Sequence, residues 1–357
     1  MKIESIDVLR FPLMLLVLFV HTIPEEIVPV PFTFSMEACY VWISEILSHH
    51  LGRIAVPMFF VFSGYLYFFK INDFKFEQYK KQSLRRIVSL LIPYFLWNIV
   101  FIIITLAKNI LFVKLGAGED VLLVSLRHAT YYDVFWGGPF VFPLWYVRDL
   151  MVMSVLSPLF YFWFSKTKKI GVLILILLYL TTLESDVPGL SGTAITFFGI
   201  GSYLGMHRYD LTALLPKYNA YKVTLALLAL LIGTLLGGTV YYELAIRFFI
   251  LIGVLALLYL GFLLTRRDKI KESLLQLAPS VFFVYAIHSV YIINWVKGFF
   301  YSLGMYEKAW YRLITYLITP FLTMIVCLLL YALVKRLTPR LLSLLIGGGV
   351  SLKFDKR

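Results

Sequence analysis

Arg10 and His21 stand eleven positions apart in IDVLRFPLMLLVLFVHTIP, a segment with few other polar side chains. Eleven steps of about 100° return a helix to within roughly 20° of its starting direction, about 16 Å further along the axis. Both side chains therefore share one helix face. Ionisable groups are expensive inside a membrane span, where they mark substrate paths, proton relays or catalytic sites. The two are chemically complementary: arginine offers a permanent forked charge suited to phosphate, and histidine takes or gives a proton near neutrality. Singly, each also fits a plainer role, with Arg10 snorkelling to the headgroups and His21 bonded to a neighbour at a helix end.

Four further segments carry chemistry in the same sense. In RIAVPMFFVFSGYLYFF, Ser63-Gly64-Tyr65 interrupts a bulky apolar run. Gly64 permits close approach of a ligand or another helix, and Ser63 adds a hydroxyl. LRRIVSLLIPYFLW puts Arg85 and Arg86 at the mouth of the next span, where they suit a polyanionic ligand or simple positive-inside anchoring. PLWYVRDLMVMSVLSPLF carries Trp145, Arg148 and Asp149. Adjacent residues point about 100° apart on a helix, so Arg148 and Asp149 are expected to seek partners on other helices or in a wet cavity. SVFFVYAIHSVYIINW places Tyr285, His288 and Tyr291 on one side of a helix, as cavity lining or as a hydrogen-bonded core cluster. His49, His50, His128 and His207 fall in loops or at their edges, without HExxH or paired Cys and His spacing, and no metal site is expected.

The elements that must position these residues are apolar helices. The 357 residues are 61% hydrophobic and only 15% charged, which indicates an all-α polytopic membrane protein. The net charge of +13 comes from short clusters between apolar runs, the pattern of membrane loops and not of a nucleic-acid surface. Cys39 and Cys327 are the two cysteines and give no disulfide framework. The first span lacks a small-residue cleavage site and is expected to be retained. Ten candidate spans begin near Ile6, Ile54, Ile87, Val141, Ile170, Gly192, Val223, Ala245, Leu274 and Leu313. With both termini inside, Lys and Arg divide 23 to 7 in favour of the inner segments, so the termini are expected in the cytoplasm. Outer segments holding EACYVWISEILSHHLGR and EDVLLVSLRHATYYDVFW are expected to form short surface-lying helices. Residues 1–335 make one membrane domain and 336–357 a short cytoplasmic tail, with Gly347 to Gly349 as a flexible break.

Taken in order, IDVLR with His21 beyond it, AVPMFFVFSGYL, LRRIVSLLIPYFLW, PLWYVRDL and FVYAIHS resemble the acyltransferase 3 family of bacterial membrane O-acyltransferases. The resemblance implies a multi-pass protein of the bacterial inner membrane with no permanently bound cofactor. It implies transfer of an acyl group, most often acetyl, from cytoplasmic acyl-CoA to a hydroxyl of a cell-surface or lipid-linked carbohydrate. Family members depend on the first-helix Arg and His that match Arg10 and His21, and on a basic pair matching Arg85 and Arg86. Many carry another Arg where this chain has Ser89. Combined with the helix geometry, this suggests CoA phosphates near Arg85 and Arg86, the pantetheine arm along the Arg10 face, and the thioester near His21 as general base or acyl carrier. Ser63, Gly64 and Tyr65 would join donor binding, while Trp145, Arg148, Asp149, Tyr285 and His288 would line the acceptor side or the cavity. Glu25 is placed to orient the imidazole, although Pro24 interrupts the helical spacing. Acyl-CoA, a carbohydrate acceptor and membrane lipid are the expected partners. The competing reading is a carrier or flippase with Arg10, Arg148, Asp149, Arg247 and His288 along its path.

Overall fold

The computed structural model describes residues 4–23, 26–71, 75–116, 130–182, 187–211 and 219–348, and every regular element among them is helical. Five stretches are long and apolar enough to cross a bilayer: Met36–Phe69, Phe76–Lys114, Tyr242–Thr265, Asp268–Ser302 and Ala309–Leu337. Each exceeds the ~20 residues that a hydrocarbon core requires. The chain is a multi-pass membrane protein.

Helix α1 (Glu4–Val20) is followed by α2 (Met36–Ser44), which runs through a π turn (Glu45–Leu51) and a 3-10 turn (Gly52–Ile54) into α3 (Ala55–Phe69). Then come α4 (Phe76–Lys114), α5 (Trp145–Val155), α6 (Ser157–Leu180), α7 (Gly192–Met206), α8 (Asn219–Leu235) and α9 (Tyr242–Thr265). The chain continues through α10 (Asp268–Leu277), α11 (Val281–Ile287), α12 (Ile293–Ser302), α13 (Ala309–Leu337) and α14 (Pro339–Leu345). The stretches expected from Val141 and Ile170 meet within α6, which breaks at Lys168 with φ 50° and ψ −129°. That break falls in the basic run where the sequence places a loop.

Helix α1 is the hub. It packs against α3, α9, α10, α11, α13 and the π turn, so Ile6, Val8, Leu9, Met14 and Leu18 are fully enclosed. Helices α3 and α7 cross at very close range because glycine faces backbone on both sides. A Cβ on Gly64 would meet the Phe198 carbonyl, and one on Gly201 would meet the Val61 carbonyl.

Two expectations change here. The second half of EACYVWISEILSHHLGR does not lie on the surface, since Glu45, Ser48, His49 and His50 are buried in a helix continuous with α3, while Glu37 and Cys39 ahead of them are exposed. Several of its polar groups find partners inside the protein, although they read as surface residues in sequence. Glu45 accepts from the Val28 N–H at 3.1 Å and pairs with His49 Nδ1 at 2.8 Å, and Ser48 donates to the Phe19 carbonyl at 2.6 Å. The other such segment lies largely outside the described residues. The segment after α13 also folds back instead of trailing away, for α14 packs on α4 and Trp97 donates to the Leu345 carbonyl at 3.0 Å. The positive φ of Gly347, 73°, makes the turn that follows.

Candidate functional site

A cavity of about 980 Å³ opens between α1, α3, α4, α5 and α11. Arg10, Lys70, Lys81, Arg85 and Arg86 line it, with no Asp or Glu among the described lining residues. Lys70, Lys81 and Arg85 are exposed and form its rim. Farther in, the wall becomes apolar and aromatic through Phe59, Phe62, Val147, Leu150 and Phe282, and Tyr146 and Tyr285 complete it. Such a wall takes an amphipathic anion, with phosphates at the rim and an apolar arm within.

Individual cations are held in place. Arg86 donates to the Ser63 carbonyl at 3.2 Å, and its guanidinium carbon lies 5.6 Å from the centre of the Tyr67 ring. Arg10 pairs with Asp7 at 3.2 Å and stays partly accessible to the cavity. Ser89 also lines the cavity, donating to the Arg86 carbonyl at 2.9 Å. Lys81, Arg85 and Ser89 follow one another at spacings of four, so Lys81 supplies a cation one turn before the pair that the sequence singles out.

Ser63 faces this cavity, its hydroxyl 3.4 Å from that of Tyr146. Gly64 and Tyr65 turn away from it. Gly64 is spent on the crossing with α7, and the Tyr65 hydroxyl donates to the Tyr209 carbonyl at 3.0 Å. Trp145 is half-buried at the start of α5 and is not among the lining residues. Arg148 and Asp149 do pair directly, which overturns the expectation drawn from their 100° offset. The flexible arginine stem curls back, so that Nε and Nη2 donate to Asp149 Oδ1 at 3.2 and 3.0 Å. Nη1 donates to the carbonyls of Trp136 and Gly137 at 2.7 and 3.0 Å. The pair thus braces the chain ahead of α5.

At the far end of α1, His21 meets His288 with ring centres 5.2 Å apart. His288 is fully buried, its Nδ1 lies 3.2 Å from the Val284 carbonyl, and its Nε2 has no hydrogen-bond partner. Lys297 donates to the His21 carbonyl at 3.2 Å, and Phe142 presents its ring edge-on to His21 at 6.3 Å. Tyr285 links the two regions, lining the cavity while its ring centre lies 6.3 Å from that of His288. Its hydroxyl donates to the Pro143 carbonyl. Pro24 and Glu25 lie outside the described residues.

The acyltransferase 3 family, described as an acyltransferase domain, matches residues 3–333. The chain belongs to this family. As an acyltransferase it is similar to the succinoglycan biosynthesis protein ExoH of Rhizobium meliloti (strain 1021), with 24% identity over 324 residues, 87% of this chain and 84% of the relative. No solved structure matches it. Sequence reasoning left out of this acyltransferase's cavity lining Lys70 and Lys81, which read only as positive-inside charge, and Tyr146. It also left out Lys297, which sits within α12 and donates to the His21 carbonyl. Only that bond from its ammonium distinguishes the lysine from an anchor.

Proposed function

We propose that the protein spans the bacterial inner membrane ten times with both termini in the cytoplasm. There it moves an acyl group, most simply acetyl, from cytoplasmic acyl-CoA to a hydroxyl of a cell-surface or lipid-linked carbohydrate. One observation carries this reading: a cavity with a rim of cations and no described carboxylate in its lining includes Tyr285, which adjoins His288 and, through it, His21. CoA phosphates sit among Lys81, Arg85 and Arg86, and Arg10 positions the arm of the donor. His21 acts as general base on the acceptor hydroxyl, a role worth about 10²–10⁴ in rate. The carbohydrate acceptor is supported by the similarity to a protein of succinoglycan biosynthesis.

The test replaces His21 with Ala, confirms insertion into the membrane, and measures transfer of label from acyl-CoA to surface glycan. Loss of transfer with retained acyl-CoA binding is expected, and full activity overturns the assignment. Absence of acetyl-CoA binding to the purified wild-type protein would favour a carrier instead.

A further inference from the structure

We propose that His288 is a positioning residue which fixes the tautomer and direction of the His21 imidazole, an inference that rests on His21 being the general base. A carbonyl oxygen only accepts, so the contact between His288 Nδ1 and the Val284 carbonyl at 3.2 Å puts the ring's hydrogen on Nδ1. In the neutral ring Nε2 is then a bare acceptor. It is fully enclosed and unpartnered, a costly state for a buried polar atom.

The imidazole of His21 is next to it, at 5.2 Å between ring centres and tilted by 41°. A small rotation of His21 brings one ring N–H onto His288 Nε2, the tightening that catalytic hydrogen bonds undergo when substrate binds. The other His21 nitrogen is then left as the lone pair that faces the acceptor hydroxyl. Lys297, bonded to the His21 carbonyl at 3.2 Å, fixes the backbone from which this ring swings.

Backbone strain just beyond His288 supports a built arrangement. The helix opens into a π turn (His288–Ile292), in which Tyr291 takes φ 63°, a conformation rare for an aromatic residue. Helix α4 holds that turn. The Tyr291 hydroxyl lies 2.9 Å from Thr105 Oγ1, and the Tyr291 ring stacks on Phe101 at 5.4 Å.

In the resulting step the acceptor oxygen bonds to the thioester carbonyl carbon as its proton passes to the free His21 nitrogen. The carbon–sulfur bond then breaks and His21 returns that proton to the departing thiolate, giving an ester and CoA thiol. The hydrogen shared with His288 stays on His21 throughout.

The test compares His288→Gln with His288→Asn in membranes from cells that make the acceptor glycan, with labelled acetyl-CoA as donor. Gln carries an acceptor out to the Nε2 position, whereas the shorter Asn does not reach it. The expected result is a kcat within about tenfold of wild type for Gln and a loss of about 10²-fold or more for Asn, at unchanged KM for acetyl-CoA. Adding His288→Asn to His21→Ala is expected to cost nothing further, because the residue acts through His21. Equal activity of the two variants overturns the proposal, whether both are high or both low. An active His21→Ala overturns it together with the general-base reading. An inactive His21→Ala beside a fully active His288→Asn overturns the positioning role alone.

Discussion

The Arg86 guanidinium donates to the Ser63 carbonyl at 3.2 Å, and this bond helps to join the basic end of α4 to the wall of the cavity it lines. The cation is therefore set in direction before any ligand arrives. Arg86→Ala is expected to raise the KM for acyl-CoA by about 10- to 100-fold, the range of a lost hydrogen bond to a charged group, with kcat much less affected. Arg86→Lys keeps the charge but not the fork, and is expected to fall between the two. Steady-state kinetics against donor concentration checks both.

On the proposed reading Arg10 positions the arm of the donor, as an arginine partly engaged by Asp7. Arg10→Lys is expected to weaken donor binding severalfold and to slow turnover, since an ammonium cannot keep the Asp7 contact and a second ligand contact in the same geometry. Direct binding of labelled acyl-CoA, read beside turnover, checks this. Unchanged values for both would remove Arg10 from the site.

A rim of exposed lysine and arginine acts through screened charge. Raising ionic strength from about 0.05 to 0.5 M shortens the Debye length to a few ångströms, and acyl-CoA affinity is expected to drop severalfold. An acyl-pantetheine donor without phosphates is expected to bind weakly and with little dependence on salt. Titration calorimetry at several salt concentrations tests the contrast.

Asp149 is fully buried and accepts twice from Arg148, whose remaining nitrogen holds two carbonyls ahead of α5. Asp149→Ala leaves that arginine buried without its counter-charge. A loss of about 3–5 kcal/mol is expected. Thermal unfolding in detergent is the measurement, and a near-wild-type midpoint would contradict the bracing role.

At the α3 and α7 crossing, Gly64→Ala drives a methyl into the Phe198 carbonyl, and backbone cannot step aside as a side chain does. The expected cost is about 1–3 kcal/mol, with a lower yield of folded protein. Activity per folded molecule is expected to change far less. That split separates a packing glycine from one that touches the donor.

Much of this molecule was legible in its sequence because hydropathy and charge leave one-dimensional traces. The apolar stretches that cross the bilayer follow the hydropathy of the sequence, and Arg10, Ser63, Arg85, Arg86 and Tyr285, each singled out along the chain, line one cavity. What escaped depends on side-chain flexibility or on contacts far apart in the chain. The bond between Arg148 and Asp149 needs a stem that bends back on itself, and helical offsets describe only where Cβ atoms point. Glu45 and His49 looked solvent-exposed because a buried hydrogen-bonded pair has the same composition as a surface one. His21 and His288 were each singled out, but nothing along the chain says that their rings meet.

The inner wall of the cavity includes Tyr146 and Tyr285, with ring centres 5.9 Å apart. The Tyr146 hydroxyl lies 3.4 Å from that of Ser63, and Tyr285 donates to the Pro143 carbonyl, so neither is idle. On the reading proposed above, donor and acceptor approach from opposite faces of the bilayer. A continuous file of water between them would short-circuit the electrochemical gradient that the same membrane maintains. On that same reading Tyr146 and Tyr285, already engaged at their hydroxyls, stand where the acyl chain must pass and where such a file must be broken.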